Sequence, residues 1–152
     1  LKNDKAVMFG KLIRSMSKKQ NFHKNERLKS AKTIGNLFSE GKSFGMYPLR
    51  LVWLEREQSD NGGFPIQFTV SVPKKKFKSA VDRNRIKRQI REAWRLNKNR
   101  LYEKIEHQSK KYAFMVIYTS KESLPYAEIE KSMQRMMRKF LKVSETKRTL
   151  PS

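Results

Sequence analysis

A fifteen-residue run, AVDRNRIKRQIREAW at residues 80–94, constrains the fold more than any other part of the sequence. It holds five Lys or Arg side chains, yet its apolar side chains recur at the spacing of one buried helix face, at Ile86, Ile90, Ala93 and Trp94. At about 100° per residue, all four fall within roughly 80° of the direction of Ile86. The run therefore predicts a helix that buries one stripe in the fold and turns its cations outward.

The opposite face of this helix is cationic. The polar side chains at roughly 100° to 200° from Ile86 are Asn84, Lys87, Arg88, Arg91 and Arg95. Residues 74–100 contain twelve Lys or Arg and two acids, and like charges four residues apart repel each other unless a partner neutralises them. Guanidinium forks suit phosphate oxygens, and the Asn84 amide suits a sugar hydroxyl or a base edge. The pattern favours a nucleic-acid interface over a solvated helix face, without distinguishing RNA from DNA.

The composition of the whole chain also favours a polyanionic partner. Its 152 residues are enough for one domain with a core, and 36 Lys or Arg against 14 Asp or Glu give a formal net charge of +22. Such an imbalance opposes the compact state unless an anion compensates it, and phosphate contacts give strong, salt-dependent affinity. Without cysteine, disulfides and thiolate metal sites are excluded, and no apolar run approaches the ~20 residues of a spanning helix.

Hydrophobic spacing elsewhere predicts an α+β single domain with the element order helix, strands, helix, strand, helix. Helical spacing covers residues 27–41, with Gly41 as the stop, and a last helix follows Pro125 with a core stripe at Ile129, Met133, Met136, Met137 and Phe140. Strands are predicted over 48–55, 65–72 and 112–119, with a further short strand around 44–47. We expect residues 1–21 to form a flexible basic extension, 22–141 the folded domain and 142–152 a disordered tail.

Residues 71–95, SVPKKKFKSAVDRNRIKRQIREAWR, closely resemble the signature of the bacterial ribonuclease P protein component family. The matching positions are Lys74, Lys75, Ala80, Val81, Arg83, Asn84, Arg85, Lys87, Arg88, Arg91 and Glu92. The helix predicted over 27–41 and the C-terminal strand and helix also fit, so the resemblance covers roughly residues 22–141. It implies an α–β sandwich whose basic helix links two parallel strands by a left-handed crossover, an exception to the usual right-handed rule.

The same resemblance implies the function. A protein of this family is the subunit of ribonuclease P that binds the catalytic RNA and the 5′ leader of precursor tRNA, assisting endonucleolytic removal of the leader in the bacterial cytoplasm. The RNA-binding residues implied for this chain are Lys74, Lys75, Arg83, Asn84, Arg85, Lys87, Arg88, Arg91 and Arg95. A separate cleft between the first helix and the sheet would take the single-stranded leader, and the expected contacts there are Ile34, Phe38, Val52 and Trp53.

Two features of the chain bear on this leader cleft. Ile34 stands where the family often has an aromatic residue, so this contact is expected to be apolar rather than a stack. For Phe38 and Trp53 a core position is as good an interpretation as the cleft, and Val52 is the alternative to Trp53 as the cleft residue. The link KFKS at 76–79 also replaces a shorter, glycine-containing link of the family, and we expect its lysines to reshape that turn.

No catalytic group is apparent in the chain itself. His23 and His107 lack motif context and are predicted to be surface residues, while Asp82 is expected to start the helix and Glu92 to pair with Arg88 or Arg95. The resemblance therefore implies catalysis by the RNA with its Mg²⁺, no metal held by the protein, and no obligate protein partner. Two alternatives are a structural RNA-binding protein such as a ribosomal component, and a cationic membrane-surface protein, which the narrow apolar stripe of the basic helix disfavours.

Overall fold

The computed structural model describes residues 22–56, 64–106, 108 and 110–149. They form one four-stranded sheet and three helices, as the predicted α+β class requires. The strands are β1 (Lys42–Met46), β2 (Leu49–Arg56), β3 (Ile66–Ser71) and β4 (Lys111–Tyr118). The helices are α1 (Ala31–Glu40), α2 (Ala80–Glu106) and α3 (Tyr126–Thr149), preceded by a 3₁₀ turn (Lys24–Glu26).

The strand order in the sheet is β1-β2-β4-β3. β2 runs antiparallel to both β1 and β4, whereas β3 and β4 are parallel neighbours. Because parallel neighbours cannot be joined by a hairpin, the chain between β3 and β4 must cross over, and α2 is that crossover. The left-handed sense that the family resemblance implies for this connection stays a prediction.

One face of the sheet forms the main core with α2 and α3. The ring of Phe68 in β3 stacks on Trp94 of α2 with centroids 4.4 Å apart and planes 5° apart, and Phe140 of α3 packs edge-on against Phe114 of β4 at 4.7 Å. Both predicted helix stripes are confirmed, because every member is buried: Ile86, Ile90, Ala93 and Trp94 in α2, and Ile129, Met133, Met136, Met137 and Phe140 in α3.

The other face of the sheet is covered by α1. Leu37 is its buried anchor, in a smaller cluster with Val52 of β2 and Met115 of β4. The helix ends at Gly41, as predicted. A glycine is required there because a Cβ at this position would lie 2.3 Å from the carbonyl oxygen of Leu37. Helices on both faces make the fold the α–β sandwich expected from the sequence.

The helix boundary at the start of α1 differs from the sequence prediction. The helix begins at Ala31 rather than at residue 27, and the Ser30 hydroxyl caps it by accepting from the Thr33 N–H at 3.3 Å. Residues 27 and 28 are extended instead, because the Leu28 N–H donates to the Phe68 carbonyl at 3.0 Å. This contact covers part of the exposed edge of β3, which would otherwise be open to pairing with another chain.

The strand predictions agree with the structure to within about two residues at each end. The expected disordered tail over 142–152 is wrong for residues 142–149, because α3 continues to Thr149. Leu141 is buried, Val143 packs against the main core, and the Ser144 hydroxyl donates to the Leu141 carbonyl at 3.1 Å. The apolar stripe therefore extends past the expected boundary. Residues 150–152 and the predicted extension over 1–21 lie outside the described residues.

A buried ion pair fastens the segment before α1 to the basic helix. The Glu26 carboxylate accepts from Lys98 Nζ at 2.6 and 2.7 Å and from the Tyr102 hydroxyl at 2.6 Å, and all three side chains are buried. Burial lowers the pKa of Lys98 while the hydrogen bond to Glu26 opposes that shift, and burial together with the Glu26 charge raises the pKa of Tyr102. The pair joins residues 72 positions apart, and sequence analysis did not predict it.

Replacing Lys98 by Met is expected to lower the free energy of unfolding by about 3–5 kcal/mol, because it leaves the Glu26 carboxylate uncompensated in the interior. Urea titration followed by circular dichroism measures this change. The matched control is Lys104→Met, which removes the same charge from an exposed position of α2 and should change stability by less than about 0.5 kcal/mol. Equally small losses in the two variants would contradict a stabilising role for the ion pair.

Candidate nucleic-acid interface

The charged face of α2 points away from the core because the opposite stripe is buried against the sheet. Asn84, Arg85, Arg88 and Arg91 are exposed, and Lys87 and Arg95 are half-exposed. Lys74 and Lys75 are also exposed, in the turn between β3 and α2. These RNA-binding residues proposed from the sequence are therefore at least partly open to solvent. Arg83, the remaining one, is bonded to the loop that begins α2.

Four of the predicted arginines line one groove of about 610 Å³, called here the arginine groove. Its cationic lining is Arg85, Arg88, Arg91 and Arg95 from α2, joined by Arg27 from the segment before α1. The rings of Phe22 and Tyr126 also line it, so guanidinium groups and aromatic faces alternate over one surface. Such a combination suits a polyanion that carries stackable bases.

The electrostatics of the arginine groove differ along its length. The pKa of Arg91 is lowered, first by partial burial and then by the like charge of Arg27. One turn further along α2, Glu92 accepts from Arg95 Nε at 3.0 Å and from Nη2 at 2.5 Å. These hydrogen bonds raise the pKa of Arg95 and lower the pKa of Glu92. The predicted pairing of Glu92 with Arg95 is therefore confirmed, whereas Arg27, Arg88 and Arg91 have no carboxylate within ion-pair distance among the described residues.

Arg83 has a structural role at the start of α2. Its Nη1 donates to the carbonyl oxygens of Phe77 and Lys78 at 2.8 and 2.9 Å, which fixes the loop leading into α2. The Ser79 hydroxyl accepts from the Asp82 N–H at 3.5 Å at the same helix start. Lys76 is also used structurally, since its Nζ donates to the Thr119 carbonyl at 2.6 Å and ties this turn to the end of β4. Arg83 therefore shapes the interface whether or not it touches RNA.

The four residues expected in the leader cleft separate between the two faces of the sheet. Phe38 is 69% exposed on α1, and Ile34 is partly buried against the small cluster that contains Val52. Trp53 is 3% exposed in the main core, with the rings of Tyr112 and Phe140 at centroid distances of 6.0 and 5.1 Å. The expectation that Trp53 lines the cleft is wrong, because successive side chains of a strand point to opposite faces and Val52 takes the α1 face.

A second depression, called here the polar cleft, lies beside α1 with a volume of about 770 Å³. It is bounded by the Thr33, Asn36 and Glu40 side of α1 and by Leu54 and Gln67 of the sheet. Five cations line it against two acids: Lys24, Arg27, Lys29, Lys32 and Arg56 against Glu40 and Glu55. The family resemblance implies a cleft between the first helix and the sheet, and the polar cleft lies there, but none of the four residues expected in the leader cleft lines it. Sequence analysis missed its cationic lining, because these cations come from segments without helical periodicity in charge.

No cluster of metal-ligating side chains is present among the described residues. Within residues 22–56, 64–106, 108 and 110–149, no group of three or more His, Cys, Asp or Glu side chains is placed to hold a metal ion. His23 is exposed, as predicted, and stacks on the ring of Phe64 at 5.3 Å; His107 lies outside the described residues. None of the described helices is long and apolar enough to cross a membrane.

An α+β sandwich that turns one cationic helix face to solvent is typical of a nucleic-acid-binding protein. The family model for Ribonuclease P matches residues 22–141 of the chain. The chain is 40% identical over 116 residues to the "Ribonuclease P protein component" of Porphyromonas gingivalis, covering 75% of this chain and 82% of that protein. It is 34% identical over 116 residues to the protein of the same name from Streptococcus pneumoniae, covering 76% and 84%.

Solved structures share the fold. The RNase P protein of Thermotoga maritima matches with a TM-score of 0.58 and 21% identity over 74% of this chain and 96% of that one. The Staphylococcus aureus RNase P protein matches with a TM-score of 0.55 and 21% identity over 74% and 93%. The chain belongs to the ribonuclease P protein component family, and its role as the protein subunit of ribonuclease P, the enzyme of tRNA 5′ processing, follows from that membership.

The structural position of Arg83 leads to a prediction about stability. Arg83→Ala is expected to lower the free energy of unfolding by about 1–3 kcal/mol, because it removes two charge-assisted hydrogen bonds from the loop at the start of α2. Thermal and urea unfolding measure the change. Lys87→Ala, one turn along the same helix and without such a bond, should unfold like the unaltered protein; a matching loss in both variants would refute the structural role.

Proposed function

We propose that this protein binds the catalytic RNA of ribonuclease P through the arginine groove and binds the 5′ leader of precursor tRNA on the α1 face. The observation that carries the proposal is the clustering of five arginines in one groove, four of them on the solvent side of a helix whose other side is fully buried. Membership of the family indicates that the partner is an RNA, and the arginine groove is the surface that we propose for it. The bacterial cytoplasm is the location we propose, since the relatives are bacterial proteins.

Binding at the arginine groove is driven by charge neutralisation. The chain carries +22, and each phosphate that a guanidinium neutralises releases condensed counterions, so affinity should fall steeply with salt. Planar guanidinium groups also bind phosphate oxygens in pairs, which gives orientation as well as attraction. Lys74 and Lys75, in the turn at the start of α2, lengthen the cationic surface beyond the groove. Compensation of this charge is the reason why the face is tolerated in the folded chain.

Contact with the leader depends on Phe38. The Phe38 side chain is 69% exposed, which leaves a large apolar area in contact with water. Stacking by an unpaired base would cover this area. Ile34, which is partly buried on the same face of the fold, offers an apolar contact beside it, whereas Val52 is buried beneath α1 and supports this face from inside. The polar cleft along the other side of α1 offers cations for the leader backbone. Single strands bind through this combination of stacking and positive charge.

Hydrolysis is assigned to the RNA and its Mg²⁺ in this proposal. The protein contributes the grip on RNA and leader, and the Mg²⁺ of the holoenzyme is held mainly by RNA phosphates, which are hard oxygen ligands of the kind that this ion prefers. The competing possibility, a structural RNA-binding protein, predicts RNA affinity without any effect on tRNA processing. A membrane-surface protein predicts partitioning onto anionic liposomes that exceeds RNA affinity at equal ionic strength.

Reconstitution tests the proposal directly. The protein is mixed with the catalytic RNA from the same genome, and cleavage of a 5′-labelled precursor tRNA is measured at low Mg²⁺ concentration. We expect cleavage at the mature 5′ end to be faster with protein than with RNA alone, and protein alone to leave the substrate intact. Cleavage by the protein alone, or no stimulation of the RNA, would overturn the proposal.

Replacing both Arg88 and Arg91 by Ala is expected to weaken binding to the catalytic RNA and to reduce the slope of log K against log salt by about one to two units, because two phosphate contacts are lost. Filter binding over a series of KCl concentrations measures both quantities. The control is Arg138→Ala with Arg135→Ala, which removes the same charge from exposed positions of α3 outside the arginine groove. An unchanged slope in the α2 variant would remove those side chains from the interface.

Phe38→Ala is expected to weaken binding of precursor tRNA to the holoenzyme by ~1–3 kcal/mol while mature tRNA, which has no leader, binds as before. Phe38→Leu keeps an apolar side chain without the ring and should recover only part of the loss. Because Phe38 is exposed, both variants should keep the unfolding midpoint of the unaltered protein. Equal losses for precursor and mature tRNA would contradict a stacking contact with the leader.

A further inference from the structure

The arginine at position 27 is outside the basic helix and outside the motif that identifies the family, yet it lies in the arginine groove. Among the described residues that line the arginine groove and the polar cleft, Arg27 alone is common to the two. Its side chain is exposed, so a ligand can approach it from either depression. Arg27 therefore stands at the divide between the surface proposed for the catalytic RNA and the α1 face proposed for the leader.

Arg27 and Arg91 come from segments that are 64 positions apart in the sequence, and both line the arginine groove. They lie close enough for the charge of Arg27 to lower the pKa of Arg91. In the part of the chain that the structure describes, no carboxylate lies within ion-pair distance of either group. Two like charges held together without a counter-ion are unfavourable in the isolated protein and become favourable when one anion bridges them.

The fold holds Arg27 in place from both sides. Its Cζ lies 5.3 Å from the centroid of the Phe22 ring, which is a cation–π contact. On the main chain, residue 27 bridges to Phe68 of β3, and the preceding residue, Glu26, is anchored in the interior by Lys98. The position of Arg27 is therefore set before any ligand arrives, which reduces the entropy lost on binding.

We infer that Arg27 and Arg91 form a two-arginine clamp for one backbone phosphate of the catalytic RNA, with the buried Glu26–Lys98 pair as the positioning element of the clamp. The inference rests on the proposed function and adds a contact that the basic helix by itself cannot make. A phosphate between the two groups neutralises the repulsion that the free protein carries, so its binding is favoured over a phosphate at an isolated surface cation. The clamp fixes where the RNA backbone leaves α2 toward the α1 face.

A double-mutant cycle on binding to the catalytic RNA, without tRNA, tests the clamp. Arg27→Gln and Arg91→Gln are each expected to weaken binding about tenfold, since each loses a charge-assisted contact with the shared phosphate. Either single variant should lower the salt slope by less than the roughly 0.7–0.9 units of one phosphate, because the other arginine still neutralises that phosphate. The variant with both changes should bind more tightly than the product of the two factors predicts, because the two arginines share one phosphate. If the affinity loss of the variant with both changes equals the product of the two single losses, the contacts are independent and the clamp is overturned.

The matched control is Lys29→Gln, which removes one positive charge two residues further along the same segment but outside the arginine groove. Lys29→Gln should weaken binding to the catalytic RNA by less than about twofold. A loss equal to that of Arg27→Gln would show that Arg27 contributes only non-specific surface charge, and would overturn the clamp. Arg27→Lys keeps the charge and loses the fork, so its salt slope should be kept while affinity falls. Full affinity in Arg27→Lys would also overturn the clamp.

The outcomes separate this inference from the proposed function. If Arg27→Gln lowers affinity for precursor tRNA in the holoenzyme and leaves binding of the catalytic RNA unchanged, the clamp is overturned and the proposed function stands. If the unaltered protein fails to bind the catalytic RNA, the proposed function is overturned. Circular dichroism of each variant checks folding, and Arg27→Lys carries the test if Arg27→Gln unfolds.

Discussion

The packing of the apolar stripe of α2 on the sheet is the constraint on which the other features depend. The stack of Trp94 on Phe68, with centroids 4.4 Å apart, fixes the rotation of the helix about its axis, and Ile86, Ile90 and Ala93 are buried along the same line. Once that rotation is fixed, the guanidinium groups on the opposite side have only solvent or a partner to face. A chain of +22 can keep a compact fold in this way because its densest charge lies where an anion can neutralise it.

The sheet separates two surfaces with different chemistry. On one face, α2 and α3 cover the main core and α2 carries the arginine groove. On the other face, α1 packs through Leu37, leaves Phe38 exposed on one side and borders the polar cleft on its other side. The segment from Phe22 to Leu28 passes along the edge of β3 between them and is held by the buried Glu26–Lys98 pair. The surface proposed for the catalytic RNA and the surface proposed for the leader are therefore separated by the sheet.

Much of the architecture was predictable because it depends on local periodicity. Alternation identified β2 and β3, a continuous apolar run identified β4, and the 3.6-residue spacing identified the buried stripes of α2 and α3. The family motif includes Arg85, Arg88 and Arg91, and helix geometry placed Arg95 on the same exposed face. The end of α3 was missed because the polar composition after Leu141 concealed a stripe that Val143 and Ser144 continue.

The sequence by itself determined which side chains share a face within each element, since that follows from the helix or strand repeat. Only the tertiary structure decided which face meets which partner. Trp53 lies in the main core and Val52 on the α1 face, and Arg83 is bonded to the loop carbonyls of Phe77 and Lys78. Arg27 lines the same groove as Arg91. The physical reason is that these contacts join residues far apart in the chain, whose proximity depends on sheet order and on a buried ion pair. Neither of these leaves a periodic signal in the sequence.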